Sequence, residues 1–302
     1  MEIGPENVPR IVAEIGCNHR GEVETAKEMI EVAARFCGVD VVKFQKRCPK
    51  ELLTPEQYAA PHPVPANSYG RTYGEHREAL EFDVEVHRQL AAVCDEVGVT
   101  YACSVWDLTS AREIASLGPA YIKIPSACNT HFEMLGWLLD HYEGPLHVSL
   151  GMTTRKEEER IVEFFRARGR TEDLVLYACT SGYPVPPEDI CLREITRLRG
   201  AYGHEVGAIG FSGHHLGIAP DIAAITLGAS WVERHFTLNR AWKGTDHAAS
   251  LEPDGMRRLA RDIRNVAKAL TYKSEAILPI EVDQRDKLKW RPRPRLVENE
   301  AA

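Results

Sequence analysis

No stretch of this chain strings together the ~18 or more apolar residues that a membrane-spanning helix needs. The first residues, Met1 to Arg10, carry proline and acids and lack the apolar core of a secretory signal. Positive charge is also in short supply: 37 Lys and Arg face 44 Asp and Glu, a net charge of -7. That removes any electrostatic reason to expect nucleic acid or an anionic membrane as partner. The eight cysteines, Cys17, Cys37, Cys48, Cys94, Cys103, Cys128, Cys179 and Cys191, form no C-x-x-C pair, and several lie inside strand-like apolar runs. They read as reduced thiols of a cytoplasmic protein, not as a disulfide framework. Also missing are a G-x-S-x-G elbow, a P-loop, a G-x-G-x-x-G after a strand and an H-E-x-x-H. A serine–histidine hydrolase triad is therefore left without any specifying motif.

What is present is a rhythm. Short apolar runs at Ile11–Ile15, Val41–Gln45, Thr100–Ser104, Tyr121–Ile124, Leu146–Leu150, Leu174–Cys179, Ala208–Phe211 and Trp231–His235 alternate with amphipathic stretches. One such stretch places Val23, Ala26, Ile30, Ala34 and Cys37 on one face and stops at Gly38. Another carries Val86, Leu90, Val93 and Val97 and stops at Gly98, and a last one aligns Met256, Leu259, Ile263, Val266 and Leu270. Eight β-then-α units predict a parallel (β/α)8 TIM barrel over residues 1–271, with a doubly wound open sheet as the alternative. A chain of 302 residues with 44% hydrophobic residues can fill such a core. Two segments depart from the rhythm. Arg47 to Phe82, rich in Pro, Tyr and charge, follows the second strand, where long barrel loops cover a site. Residues 272–302 form a polar, proline-rich tail whose basic run, Lys287 to Arg295, reads as exposed.

Function shows where strands break the apolar rule. Lys43 in Val-Val-Lys-Phe-Gln and Lys123 in Tyr-Ile-Lys-Ile-Pro fall inside strands. Alternate residues of a barrel strand face inward, so Lys43 and Gln45 share a face opposite Phe44. An interior lysine is costly unless paired or bound to an anion. Either can be a structural ion-pair member, but two on separate strands favour an anion site. The C-terminal ends of the strands, the face that carries barrel active sites, hold Glu14, Ser104, Ser126, Ser149, Thr180, Ser181, Ser212, His214 and His235. Hydroxyls with two lysines suit a small ligand bearing phosphate and carboxylate groups. His214 and His235, at neighbouring strand ends beside Glu14 and Asp246, suit a divalent metal. His215 should point away, Cys17 reads as a packed side chain, and the loop with Asp246 and His247 can supply an acid or base.

At these residues the chain resembles the sialic acid synthase family. The similar stretches are Ile-Val-Ala-Glu-Ile-Gly-Cys-Asn-His-Arg-Gly (11–21), Val-Val-Lys-Phe-Gln-Lys (41–46), Arg-Thr-Tyr-Gly-Glu-His-Arg (71–77), Leu-Gly-Met (150–152), Cys-Thr-Ser-Gly-Tyr-Pro (179–184), Gly-Phe-Ser-Gly-His (210–214), Val-Glu-Arg-His-Phe-Thr (232–237) and 243–253. The resemblance implies a transferase that condenses phosphoenolpyruvate with an aldehyde sugar, N-acetylmannosamine, its 6-phosphate or a related aldose. It implies Lys43, Ser104, Lys123, Ser126, Ser149, Ser181 and Ser212 around phosphoenolpyruvate. It implies His214 and His235 as ligands of manganese or magnesium, Gln45, Tyr73 and Cys128 toward the acceptor, and Glu14 and Asp246 as catalytic groups. A homodimer is expected. Two departures touch acceptor recognition: Cys128 stands where relatives carry an acid, and the chain has a tail where they have an antifreeze-like domain. The rival readings are a related synthase using another aldehyde, a metal-dependent isomerase or lyase, and a non-catalytic binding protein on the same barrel.

Overall fold

The computed structural model describes residues 3–4 and 6–291. Eight parallel strands close in chain order into one barrel: β1 (Arg10–Gly16), β2 (Val41–Lys46), β3 (Thr100–Val105), β4 (Ile122–Ile124), β5 (Leu146–Ser149), β6 (Leu174–Cys179), β7 (Ala208–Gly213) and β8 (Trp231–His235). β1 pairs with both β2 and β8, and this closes the ring. The open-sheet alternative is thereby excluded. Strand boundaries lie within two residues of the apolar runs, because interior side chains continue the alternation past the last apolar position.

Two separate packings result from that alternation. Outward side chains such as Ile11, Val42, Phe44 and Phe211 join the helices in the main core. Inward ones, Val12, Val41, Ala102 and Tyr121 with Trp231 against them, plug the lower barrel. Tyr121 also stacks on His147, with ring centroids 3.8 Å apart. The plug leaves the C-terminal end of the barrel to the charged groups.

The helix that starts at Val23 runs to Glu31 and widens into π-helical turns over Val32–Cys37 before Gly38, whose φ of 69° ends it. Helix Val84–Val97 is capped by the Asp83 carboxylate, which accepts from Val86 N at 2.9 Å. In helix Pro253–Ala269, Met256, Leu259 and Ile263 are buried as the periodicity requires. Val266 and Leu270 are only half-buried, and Ala260 and Ala267 take the inner positions instead. The segment after β2 folds into short helical turns, Pro49–Leu52, Pro55–Ala59 and Tyr73–Glu78, at the rim. The tail contains one exposed helix, Pro279–Leu288, and the basic run beyond Arg291 lies outside the described residues. Among the described residues, no helix is long and apolar enough to cross a membrane.

Candidate active site

A cavity of about 390 Å³ opens at the C-terminal end of the barrel. It collects Glu14, Lys43, Gln45, Tyr73, Ser104, Lys123, Ser126, Ser149, Ser181, Ser212, His214, His235 and Asp246 from all eight strands and their loops. Cys128 is the exception and corrects an expectation. Ser126–Cys128 form a single 3-10 turn, Ala127 faces the cavity, and Cys128 turns into the main core at 7% exposure. A thiol packed there does not meet an acceptor.

The floor is an ion cluster. Lys43 pairs with Glu14 and donates to Ser104 Oγ at 2.7 Å. Glu233 lies between the lysines, with Lys43 Nζ at 3.5 Å and Lys123 Nζ at 3.0 Å from its two oxygens. Ser212 Oγ donates to Glu233 at 3.4 Å, and Lys123 Nζ rests 3.6 Å above the Tyr177 ring. All four charged side chains are almost fully buried. Sequence reasoning missed Glu233. The signal was available, since it precedes His235 by two residues and a strand period of two puts both inward.

Burial acts differently on the two acids. Glu14 is pushed up to about 8, first by burial and then by the Glu233 charge, with Lys43 opposing. Burial also disfavours the Glu233 carboxylate, but Lys123 and Lys43 outweigh it and hold it down to about 2. Burial lowers the Lys123 ammonium, and Glu233 opposes that. Burial thus favours a proton on Glu14, while the two lysines favour the charged form of Glu233.

Backbone detail brings the hydroxyls together. Gly151 N donates to Ser126 Oγ at 3.0 Å. A Cβ on Gly151 would sit 2.3 Å from Ser181 Oγ and 2.7 Å from Ser126 Oγ, so any larger residue there would push both hydroxyls aside. The β1–β2 register shifts between Glu14 and Gly16, and Gly16 has φ 52°. Glu14 precedes that shift: it shares the inward face of Val12 and stands opposite Lys43 in the ladder.

His214 and His235 lie side by side, ring centroids 5.3 Å apart, with Tyr183 4.4 Å from His214. His214 Nδ1 donates to the Thr180 carbonyl at 2.8 Å, which leaves Nε2 free as a ligand. His235 Nδ1 is buried without a hydrogen-bond partner among the described residues, and Asp246 stands 4.0 Å away. Burial lowers both imidazoles, His214 to about 4, so both are neutral and able to ligate. The pair suits a divalent ion. No three His, Cys, Asp or Glu side chains among the described residues are grouped to hold one, so further ligands would come from water or substrate. His215 points away, as expected, into a buried cluster with Asp221 and Arg234.

The rim comes from the segment after β2, which contributes Arg47, His62, Tyr73, His76, Arg77 and Leu80, with Trp106 beside it. Arg47 is tied to Glu81 and donates to the Gln45 amide oxygen at 3.1 Å. Cys17 packs against the same arginine, and burial pushes its thiol up to about 12, which favours the protonated form.

A family model, the NeuB family, matches residues 29–275. The chain is 41% identical over 259 residues to N-acetylneuraminate-9-phosphate synthase of Drosophila melanogaster, covering 84% of this chain and 67% of that protein. It is 31% identical over 261 residues to N,N'-diacetyllegionaminic acid synthase of Campylobacter jejuni, covering 86% and 77%. Its fold matches that of a sialic acid synthetase from Leptospira borgpetersenii, with TM-score 0.78, 24% identity and 94% of each chain covered. The chain belongs to the NeuB family.

Proposed function

From that membership, we propose that the protein is a metal-dependent transferase that condenses phosphoenolpyruvate with an aldehyde sugar to a 3-deoxy-2-keto sugar acid and phosphate. The observation that carries this is the floor, with two buried lysines on one shared carboxylate beneath a ring of serine hydroxyls. Such a site accepts a small dense anion and discriminates against neutral ligands.

Lys43 and Lys123 hold the carboxylate and phosphate of phosphoenolpyruvate, with Ser104, Ser126, Ser149, Ser181 and Ser212 donating to their oxygens. The C2=C3 electron pair forms the new bond from C3 to the aldehyde carbon, and the aldehyde oxygen takes up a proton. Water adds at C2 and gives up a proton. The C2–O bond then breaks, its electrons leave with phosphate, and the C2 hydroxyl gives its proton to that phosphate as C2 becomes the ketone. Preorganised ammonium groups stabilise the negative charge that develops. Glu14, pushed up to about 8, is the better placed proton carrier at neutral pH, and Asp246 instead faces His235. His214 and His235 would hold manganese or magnesium, which when bound supplies a Lewis acid for the aldehyde oxygen.

The printed names of the relatives span different sugars, so a related synthase acting on another aldehyde is the second reading. A non-catalytic barrel is disfavoured because Lys43, Lys123, His214 and His235 are all retained at one cavity. The test uses phosphoenolpyruvate carrying heavy oxygen at the bridging position. Label in inorganic phosphate supports C–O cleavage, and label kept in the organic product refutes it.

A further inference from the structure

The two floor lysines are held in different ways. Lys43 meets Glu14, Glu233 and Ser104, whereas Lys123 pairs with Glu233 at 3.0 Å and otherwise meets a ring. Its Nζ lies 3.6 Å from the centroid of Tyr177. An ammonium over a tyrosine face is attracted by the negative side of the ring's quadrupole, most strongly where water is excluded. Glu233 takes one of the three N–H donors and the ring covers another side. The side left over is the cavity, which Lys123 lines.

The strand period supplies the ring. Tyr177 and Cys179 share the inward face of β6, and Cys179 reaches the cavity while Tyr177 lies one step below it. Tyr177 is fully buried and does not line the cavity, so it acts on a ligand only through Lys123. Packing fixes it from three sides. On β7 it lies against Gly210, where an added Cβ would meet the ring at 2.7 Å. Its hydroxyl shares a 3.0 Å hydrogen bond with His147 Nδ1. His147 in turn stacks on Tyr121, and Trp231 stands edge-on to both, with ring centroids 4.7 Å and 5.5 Å away.

The groups facing Lys123 come from five strands: Glu233 on β8, Lys43 on β2, Glu14 on β1, His147 on β5 and the Cys179 thiol on β6. Burial lowers the Lys123 ammonium, Glu233 opposes that, and Lys43 adds to it. Burial, and after it the Lys123 charge, hold His147 well below the usual imidazole range, so no further cation competes beneath the floor. We propose that Tyr177 is a positioning residue of the anion site: its face holds the charged Lys123 toward the cavity, and the stack of His147, Tyr121 and Trp231 holds the ring. This rests on the condensation reading above for the identity of the anion.

The experiment changes the electrons of the ring and leaves its shape. Tyr177→Phe and its mono-, di- and trifluorinated analogues are introduced into the 302-residue chain. Each fluorine drains the face of the ring while its size barely changes. Phosphoenolpyruvate binding is read by calorimetry across pH. The ε-carbon of isotope-labelled Lys123 is followed by NMR, with Lys123→Met identifying its signal. Tyr177→Phe alone should change little, because the face remains. The dissociation constant should then climb with each fluorine, to about 10-fold at the third. The loss should grow as pH rises, because Lys123 gives up its proton at progressively lower pH. Thermal melting of each variant shows that the fold is kept. A dissociation constant that stays flat across the folded series would overturn the assignment, and so would a Lys123 titration that fluorine does not move. A wild-type chain that binds no phosphoenolpyruvate would instead sink the condensation reading. The Lys123 titration would still decide the role of the ring.

Discussion

Replacing Lys123 with methionine tests the floor most directly. The side chain keeps its length and loses one charge. Glu233, about 8% exposed, loses its partner at 3.0 Å but keeps Lys43 at 3.5 Å and Ser212 at 3.4 Å. Breaking a buried pair costs ~3–5 kcal/mol, and the remaining partners place this case at about 3. For a barrel of this size that is a fall of roughly 6–12 °C in melting temperature. Removing a charge that contacts a buried anion costs ~2–5 kcal/mol of binding, so kcat/KM for phosphoenolpyruvate should drop by about 30-fold to several thousand-fold. The acceptor KM should move far less. Glu233→Gln combined with Lys123→Met removes both charges. The double variant should therefore be more stable than the sum of the singles by about 2 kcal/mol. Stability is read by urea unfolding and turnover by phosphate release. Additive stabilities, or a folded Lys123→Met with phosphoenolpyruvate use within threefold of wild type, would refute the reasoning.

Three other outcomes are expected. His235→Ala should abolish manganese binding, measured by calorimetry, while the melting temperature moves little; full turnover by this variant after chelation would remove the metal assignment. Gly151→Ala should lower phosphoenolpyruvate use by about 10- to 100-fold, because the added Cβ displaces the Ser126 and Ser181 hydroxyls, and unaltered kinetics would place phosphate elsewhere. His76 is lowered to about 4, first by burial and then by its cationic neighbours. Its depressed folded pKa gives stability that is present above ~6.5 and lost as pH falls through 4. His76→Asn should then flatten the stability profile between those values, and a profile as steep as wild type's would show that His76 does not contribute.

The barrel and most of the cavity were legible in the sequence because they rest on local periodicity. An apolar run with a polar residue at its C-terminal end is a strand that delivers a side chain to the mouth, and the period of two tells which side it faces. Lys43, Gln45, Ser212 and His235 could be placed on that rule alone. Glu233 obeyed the same rule, but an acid beside a conspicuous histidine was read as part of a motif rather than as a partner. Tertiary structure decided what depends on distance across the barrel. Lys43 and Lys123 share Glu233 only because β2, β4 and β8 bring their side chains to one floor. Burial on that floor and the Glu233 charge both raise Glu14, and no local sequence pattern states either. The direction in which Cys128 turns likewise follows from three-dimensional packing, because the period of a strand does not state which groups end as neighbours.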